Sequence, residues 1–590
     1  MEVSNPSLTK RPFQESHFSA VDDTHLFYRY WPAASEAAPR RAVVLFHRGH
    51  EHGGRIAHLV DELGMADTAF FAWDARGLGR SPGIRGDAEH FGTLVKDVDC
   101  FIRHISTAYG IAMQDIAVVA QSVGAVAVAA WVHDYAPTIA CMVLASPAFK
   151  VKLYVPLARP ALSLMQRLRG KFSVNSYVKP QYLTHDLARI DSYRTDPLIN
   201  RPISVNVLLG LYETAERVIA DAAAIQVPTQ LLVSGADFVV HQQPQHRFMA
   251  RLGSRIKETH VFDGFFHDTL GEKDRSRAIL KARAFLLARF AARQALPDLQ
   301  DADQHGSSRD AFDSLSRPPA SFVMRGYWAM SRFWIQVGAS LSDGLRLGVE
   351  SGFDSGSTLD YVYRNQANGF TPLGRMIDRI YLDSIGWRGI RVRKQHLKHS
   401  INKAIMLLAD DGEAVNIVDI AAGHGRYIME ALACSKDKVS GILLRDYSAQ
   451  NVAAGTRLIA EKGLQDIARF VQADAFDADS LAALEPRPTV AVVSGLYELF
   501  PDNAMIRQSL LGLARAMNPG TLLIYTNQPW HPQQELIARS LTSHRQGQDW
   551  VMRCRSQAEM DQLVAAAGFQ KIDQLSDQWG IFSVSIARKT

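Results

Sequence analysis

The chain has 590 residues, 47% of them apolar and 21% charged. That is ordinary globular composition on a length that one hydrophobic core rarely supports, so two or more domains are expected. Its 65 Lys and Arg against 60 Asp and Glu leave a net charge of only +5. With no Lys/Arg-rich block interleaved with aromatics, nucleic-acid binding is not indicated. Four cysteines without a CxxC pair argue against a disulfide framework and a cysteine-rich zinc site, and favour a reducing compartment.

The first residues, MEVSNPSLTKRPFQESHF, have no apolar signal core, and no run reaches the roughly 18 apolar residues of a spanning helix. A cytoplasmic protein is expected. Residues 151–169 and 321–347 mix basic with aromatic and aliphatic side chains, which suits peripheral membrane contact and, more often, a helix packed into a core.

From residue 18 to 290, short aliphatic runs alternate with helical patterns: RAVVLFH (41–47), TAFFAWD (68–74), IAVVAQ (116–121), ACMVLAS (140–146) and TQLLVSG (229–235). Continuous apolar strands between helices predict a parallel sheet covered on both faces. Residues 148–225, Tyr- and Leu-rich and helical, interrupt that rhythm as a cap. The polar stretch 292–320 ends in Pro-Pro and reads as a linker. A mainly helical segment, 321–384, precedes renewed alternation from 385 to 590: NIVDIA, VSGILLRD, ARFVQAD, TVAVVSG, GTLLIYTN and GIFSVSIAR. The fold class is therefore α/β in both domains, 1–291 and 385–590. No internal repeat links them.

Two strand–turn–helix junctions carry chemistry. In the first, Ala120-Gln121-Ser122-Val123-Gly124 puts a serine on a sharp turn with small residues two before and two after it, as an exposed nucleophile requires. Asp237 follows the strand LLVSGA and His267 lies downstream, so Ser122, Asp237 and His267 fall in the order of an α/β-hydrolase triad. His267 is the expected base and Asp237 its orienting acid; Asp263 and Asp268 compete for that acid role but lack a suitable strand end. Oxyanion donors are expected from the Val123 amide and from Gly49, in the loop His47-Arg48-Gly49-His50-Glu51-His52-Gly53-Gly54-Arg55. Its histidines invite a metal reading, but the flanking glycines suit a backbone-donor loop better; no metal is expected.

In the second, Val418-Asp419-Ile420-Ala421-Ala422-Gly423-His424-Gly425 sets a glycine loop after a strand, where backbone can approach a ligand. Asp446 ends the next strand, a little over twenty residues on, where a carboxylate meets ribose hydroxyls. Asp474 ends the third strand beside an adenine position, and Ser494 and Tyr497 flank the fourth. Asp419, Ala421, Gly423, Gly425, Asp446, Asp474 and Ser494 are the expected cofactor residues. Without a G-x-G-x-x-G, an NAD domain is the weaker alternative. Tyr497, Glu498 and His531 are candidates near the reacting atoms, with wall packing or surface placement as the simpler reading of each.

The loop HRGHEHGGR, the segment WDARGLGRS (73–81), AQSVGA and the cap sequence SYVKPQYLTHDLARIDSYRTDPLI (176–199) together resemble the monoacylglycerol lipase/lysophospholipase group of α/β-hydrolases. The resemblance implies cleavage of a carboxyl ester in a lipid or amphiphile with one acyl chain. It departs at Arg48, where the family has Gly, and at Ala120. Arg48 either crowds the oxyanion loop or meets an anionic head group. The second half resembles class I S-adenosylmethionine-dependent methyltransferases, with a Rossmann-like seven-stranded sheet; Ala421 replaces the first loop glycine. That resemblance implies S-adenosyl-L-methionine as cofactor and methyl transfer by positioning and desolvation. The whole reads as a bifunctional hydrolase–methyltransferase, the alternative being that one half is a binding or scaffold module. Acyl chain, methyl acceptor and oligomeric state are not legible.

Overall fold

The five aliphatic runs of the first half become the centre of an eight-stranded sheet, because strands covered by helices on both faces have no side that needs to be polar. The computed structural model describes residues 10–34, 41–152, 158–176, 178–292, 295–410, 412–545 and 547–590. It divides into two units, Met1–Pro297 and Asp298–Thr590.

In the first unit the strands of the main sheet are β1 (Gln14–Ser19), β2 (His25–Trp31), β3 (Ala42–Phe46), β4 (Ala69–Trp73), β5 (Ile116–Gln121), β6 (Cys141–Ala145), β7 (Thr229–Ser234) and β8 (Lys257–Phe262); a short two-stranded pair, Ser173–Asn175 and Pro202–Ser204, lies apart in the cap. They lie in the order β1-β2-β4-β3-β5-β6-β7-β8. The β1–β2 hairpin and the β2–β4 pair are antiparallel, and every pairing from β4 to β8 is parallel. This is the α/β-hydrolase arrangement. Helix α1 (Val123–Tyr135) leaves the end of β5 in the middle of the sheet and is buried along its length from Gly124 to Tyr135. Its small residues Ala125, Ala127, Ala129 and Ala130 let it lie close to the strands. At its far end His133 sits between Asp134 and Asp221 at 2.7 and 2.8 Å. Burial opposes charge on this imidazole, yet the two carboxylates push its pKa up to about 9. Between β6 and β7 lie the cap helices Ala158–Arg169, Leu187–Thr195 and Val205–Ala220.

The second unit begins with helices α2 (Ser307–Ser316), α3 (Phe322–Ala339), α4 (Asp343–Ser351), α5 (Gly356–Arg364), α6 (Pro372–Leu382) and α7 (Ile385–Asp410). Strands β9 (Val415–Asp419), β10 (Val439–Asp446), β11 (Ala468–Gln472), β12 (Val490–Val493), β13 (Leu522–Asn527), β14 (Phe569–Ser576) and β15 (Ser583–Lys589) follow. They form a seven-stranded sheet in the order β11-β10-β9-β12-β13-β15-β14. All pairings are parallel except those of β15, which runs antiparallel to β13 and β14. The strand order reverses between β9 and β12, which opens a crevice beyond their carboxyl ends, where ligands of such sheets bind.

The segment expected as a linker behaves differently on its two sides. Residues 293 and 294 lie outside the described residues, but from Asp298 onward the chain is packed onto the second unit. Asp303 Oδ2 accepts from the Asn503 amide at 2.8 Å, and Arg539 donates to the carbonyls of Ser314 and Leu315 at 2.9 Å. The segment that reads as solvated linker instead meets the buried Asn503 amide through the Asp303 carboxylate and the half-buried Arg539 through backbone carbonyls. Among the described residues no helix is long and apolar enough to cross a membrane.

Candidate active sites

Ser122 stands between β5 and α1 with φ +54° and ψ −115°, a conformation that non-glycine residues rarely hold without support. Its amide donates to the Ala145 carbonyl at 3.0 Å, and its own carbonyl accepts from Ala148 at 3.1 Å, so two segments pin the turn. Glycine is required two residues later: a Cβ at Gly124 would lie 2.4 Å from the His47 carbonyl oxygen. The turn carries the Ser122 hydroxyl to 2.8 Å from His267 Nε2, and His267 Nδ1 lies 2.8 Å from Asp237 Oδ2. Asp237 Oδ1 also accepts from the Val239 and Val240 amides at 2.7 and 2.9 Å. Burial alone would raise the Asp237 pKa, but the facing imidazole and those amides hold it below the usual carboxylate value. The three expected side chains thus form one hydrogen-bonded chain. Asp263 is exposed on the turn after β8.

Asp268 belongs to a different set of contacts. Arg189 of the cap grips its Oδ2 at 2.9 and 3.1 Å, and Gln121, beside the serine, donates to Oδ1 at 3.0 Å. Arg48 joins the same cluster. Its Nε and Nη2 make a two-pronged contact to Glu51, both at 2.7 Å, with Asp268 at 3.6 Å and the Tyr193 ring beneath. The guanidinium is folded into the wall and braces the loop rather than crowding it. Arg55 adds a further contact to Glu51 at 3.3 Å. Burial opposes ionisation of Glu51, but Arg48 and Arg55 draw its pKa down to about 2.

The loop histidines are each engaged within the fold. His47 lies 2.7 Å from the Arg48 carbonyl through Nδ1 and accepts from the Ala75 amide at 3.0 Å through Nε2. His50 meets the Asn200 carbonyl and His52 meets Asp196. Gly49 and Val123 line the same small cavity as Ser122 and His267, about 110 Å³ in volume and walled by cap residues such as Val174, Val178, Leu183 and Leu211. Val123 opens α1, where an amide has no partner within the helix.

In the second unit a cleft of about 1,040 Å³ follows β9 and β12. It is lined by Ala421, Gly423, Gly425, Asp446, Asp474 and Ser494. Gly423 and Gly425 take φ +58° and +70°, and a Cβ on Gly423 would find nothing nearer than 3.6 Å, so glycine is needed there for conformation. The Gly423 amide donates to Asp446 Oδ2 at 2.9 Å; Asp446 Oδ1 accepts from Ser448 and Asn451 at 2.9 and 3.0 Å. Three hydrogen bonds leave an ionised carboxylate with capacity for about one more donor, which suits a ribose hydroxyl. Asp474 is exposed at the cleft rim, its Oδ1 accepting from the Phe476 amide at 2.8 Å. Cleft size, open glycines and strand-end carboxylates together fit a nucleoside cofactor.

Asp419 differs from the expectation. It is fully buried beneath the loop and does not line the cleft; its oxygens accept from the Tyr427 hydroxyl and from the Ala421 amide, the latter at 3.2 Å. As the last residue of a strand that pairs on both sides, it points inward. Tyr497 is likewise a wall residue, donating to Ser509 at 3.0 Å within the core. Glu498 and His531 line another cavity of the same unit. The cleft has a cover that no pattern in the sequence announces, since its residues lie far upstream of the loop. Asp360 on α5 pairs with Arg426 at 2.5 Å and lies 3.7 Å from His424, while Ser357 lies 3.4 Å from His424 Nε2.

A family model described as "Serine aminopeptidase, S33" matches residues 37–274, and one described as "Putative methyltransferase" matches residues 282–589. Uncharacterized protein YnbC of Escherichia coli (strain K12) is 56% identical over 575 residues, 97% of this chain and 98% of its own length. The monoacylglycerol lipase of Mycolicibacterium smegmatis is 26% identical over 272 residues, 44% of this chain and 92% of its own. A solved monoacylglycerol lipase from Paleococcus ferrophilus is 23% identical, covering 45% of this chain and 99% of its own, with a TM-score of 0.41.

Asp419 generates a pH prediction. Burial, and more weakly Asp446, raise its folded pKa to about 7, far above the roughly 3.9 of an exposed aspartate. Its contribution to stability is therefore complete below about pH 4 and is lost as pH rises through 7. Asp419→Asn stays neutral and can still meet Tyr427 and Ala421. In thermal melts of the second unit between pH 5 and 8, the variant gains on the wild type as pH rises; a constant difference across that range would refute the assignment.

Proposed function

Because the chain belongs to the "Putative methyltransferase" family across residues 282–589, we propose that its second unit transfers methyl groups from S-adenosyl-L-methionine. We further propose that its first unit is a serine hydrolase of single-chain lipid or amphiphilic esters. The observation that carries the hydrolase reading is the unbroken relay from Ser122 through His267 to Asp237, ending in an apolar cavity.

In the hydrolase, Ser122 Oγ attacks the ester carbonyl while its proton passes to His267 Nε2. Asp237 stabilises the imidazolium that results. The amides of Gly49 and Val123 receive the charge that develops on the carbonyl oxygen. His267 then protonates the departing alkoxide, and water attacks the acyl-serine by the same route in reverse. The acyl chain lies among Val174, Val178, Leu183 and Leu211. The lipase relative acts on monoacylglycerol by name, which supports an ester with one chain.

In the methyltransferase, the bound cofactor supplies an electrophilic methyl group on sulfur. The Gly423–Gly425 loop lets backbone approach it, Asp446 holds its ribose, and Asp474 and Ser494 flank its base and side chain. Both units stand as catalytic in this reading, in the cytoplasm, where free thiols such as Cys100 and Cys141 persist.

The proposal includes contact with an anionic membrane surface through α3 and α6. Phe322, Phe333 and Trp334 on α3, with Leu373, Met376 and Ile380 on α6, are exposed apolar side chains. Arg325, Arg332 and Arg375 stand on the same helices, whose one acid, Asp378, is buried, while Arg379 is paired with Asp383 at 2.7 Å. Basic charge around an exposed apolar face complements anionic lipid.

Three measurements test these assignments. A fluorophosphonate labels the wild-type chain, and Ser122→Ala abolishes both label and ester hydrolysis, the latter by at least about a thousandfold; labelling that survives the substitution sinks the triad. Calorimetry detects S-adenosyl-L-methionine binding, and Asp446→Ala weakens it by at least about tenfold, as loss of a charged hydrogen bond predicts; unchanged affinity removes Asp446 from the site. The chain floats with phosphatidylglycerol-containing vesicles, and Phe333→Glu with Trp334→Glu stops it; a wild type that stays at the bottom of the gradient ends the membrane reading.

A further inference from the structure

Between the helical segment and the strand ends of the second unit lies a cavity of about 850 Å³, which shares Trp334 and Ile380 with the face proposed to meet a membrane. Its walls are apolar and aromatic, from Trp334 and Ile335 on α3, Ile377 on α6, Trp387 and Ile390 on α7, and Phe582. It adjoins the glycine-loop cleft: Asp354, Leu359, Arg393, Gly495 and Leu499 line both. A molecule in the cavity therefore has one end at the wall of the cofactor site.

Four polar atoms of this lining are buried without a hydrogen-bond partner among the described residues: Arg393 Nε, Trp550 Nε1, the Tyr381 hydroxyl and Glu498 Oε2, of which Glu498 Oε2 is the one carboxylate oxygen. Glu498 follows β12 through Gly495 and is 6% exposed. Its Oε1 accepts from Thr526 Oγ1 at 2.6 Å and lies 3.7 Å from Arg393 Nη1. Its Oε2 is buried with no hydrogen-bond partner. A carboxylate oxygen left unpaired away from water is costly, so a donor from a ligand gains more here than it would in water. The other candidates do not compete for the role. Tyr497 is committed to the core, and burial pushes the His531 imidazole down to about 4, so it stays neutral, with Nδ1 accepting from the Gln533 amide at 3.0 Å.

We propose that this cavity holds the methyl acceptor, and that the acceptor is a long-chain amphiphile whose head is an amine or hydroxyl. The chain lies among the aromatic walls and the head donates its N–H or O–H to Glu498 Oε2. As the head's nitrogen or oxygen bonds to the methyl carbon, the carbon–sulfur bond of the donor breaks with its electron pair remaining on sulfur. The displaced proton passes to the Glu498 carboxylate and from there to solvent. A carboxylate head offers Oε2 no donor and sets its charge against Glu498, an opposition that Arg393, 3.7 Å from Oε1, reduces. This inference rests on the methyltransferase reading and specifies its substrate class.

The test uses the full chain, with dodecylamine, dodecanol and dodecanoate as probes, followed by tryptophan fluorescence and calorimetry. Dodecylamine and dodecanol bind saturably, and each leaves with one added methyl when S-adenosyl-L-methionine is present; dodecanoate binds at least tenfold more weakly. Glu498→Gln weakens dodecylamine at least tenfold and leaves cofactor affinity unchanged. Ile377→Trp, which fills the cavity, weakens both binding probes with the same unchanged cofactor affinity. Dodecanoate binding as tightly as the amine, or amine binding indifferent to both substitutions, overturns the acceptor assignment. A wild type that fails to bind S-adenosyl-L-methionine overturns the methyltransferase reading instead, so the two failures are told apart.

Discussion

A parallel strand that ends inside a sheet must pass to the following helix within a few residues, and both sites of this protein are built from the backbone that this constraint forces. At Ser122 the turn takes φ +54°, which costs a residue with a Cβ roughly 1–2 kcal/mol. Hydrogen bonds to Ala145 and Ala148, and the contact that only glycine permits at position 124, hold it there. After β9 the same handover is made by Gly423 and Gly425, where glycine bears positive φ without that cost. The difference follows from what each site must present. A nucleophile has to be a side chain held in strain above the sheet, whereas a nucleoside is met by bare backbone.

Charge is treated in opposite ways around the two turns. Around Ser122, Arg48, Arg55 and Arg189 face Glu51 and Asp268, all buried. Through them the oxyanion loop, the residue before the serine, the residue after the histidine and the cap helix share one set of contacts. Such a cluster gains little over an apolar core, but removing one member leaves a buried charge unpaired, at about 3–5 kcal/mol. Its effect is to fix the relative positions of four segments. Under the glycine loop Asp419 has no cation in contact, and its carboxyl is driven toward the neutral form instead. Glu498 lies between these cases, with Oε1 accepting from Thr526 and Oε2 buried without a partner among the described residues.

Those differences also explain what could be read in advance. Apolar runs covered on both faces have few alternatives to central parallel strands, so β3 to β7, β9, β10, β12 and β13 were legible, and with them Ser122, Asp237 and Asp446 at strand ends; β11, an edge strand that is largely exposed, was legible with Asp474 from its place in the alternation. The β1–β2 hairpin was not, because QESHFS is largely exposed and carries too few apolar residues to mark a strand. The inward turn of Asp419 was hidden for a geometric reason: a side chain at the last strand position can point under the loop or over it, and spacing along the chain is the same for both. Arg48 reads as a foreign residue in an oxyanion loop until Glu51, three residues on, is seen to bind it. The cover over the glycine loop depends on Asp360 and Ser357, whose distance in sequence from Arg426 and His424 carries no signal of contact.

Both cavities are lined mainly by apolar side chains with polar groups among them, and that shared form constrains what one amphiphile could do in each under the proposed reactions. In the proposed hydrolase reaction Ser122 releases two products, a carboxylic acid and an alcohol. The acid arrives at neutral pH as a carboxylate, which offers Glu498 no donor and brings it like charge. The alcohol carries the O–H that Glu498 Oε2 lacks, but it fills a cavity of about 850 Å³ only if it keeps an apolar chain of its own after the acyl group has gone. A glycerol freed from a single-chain ester does not meet that condition. Under the two proposed reactions, a substrate used by both units would have to carry a second chain on the alcohol side, with the ester masking the hydroxyl that is afterwards methylated.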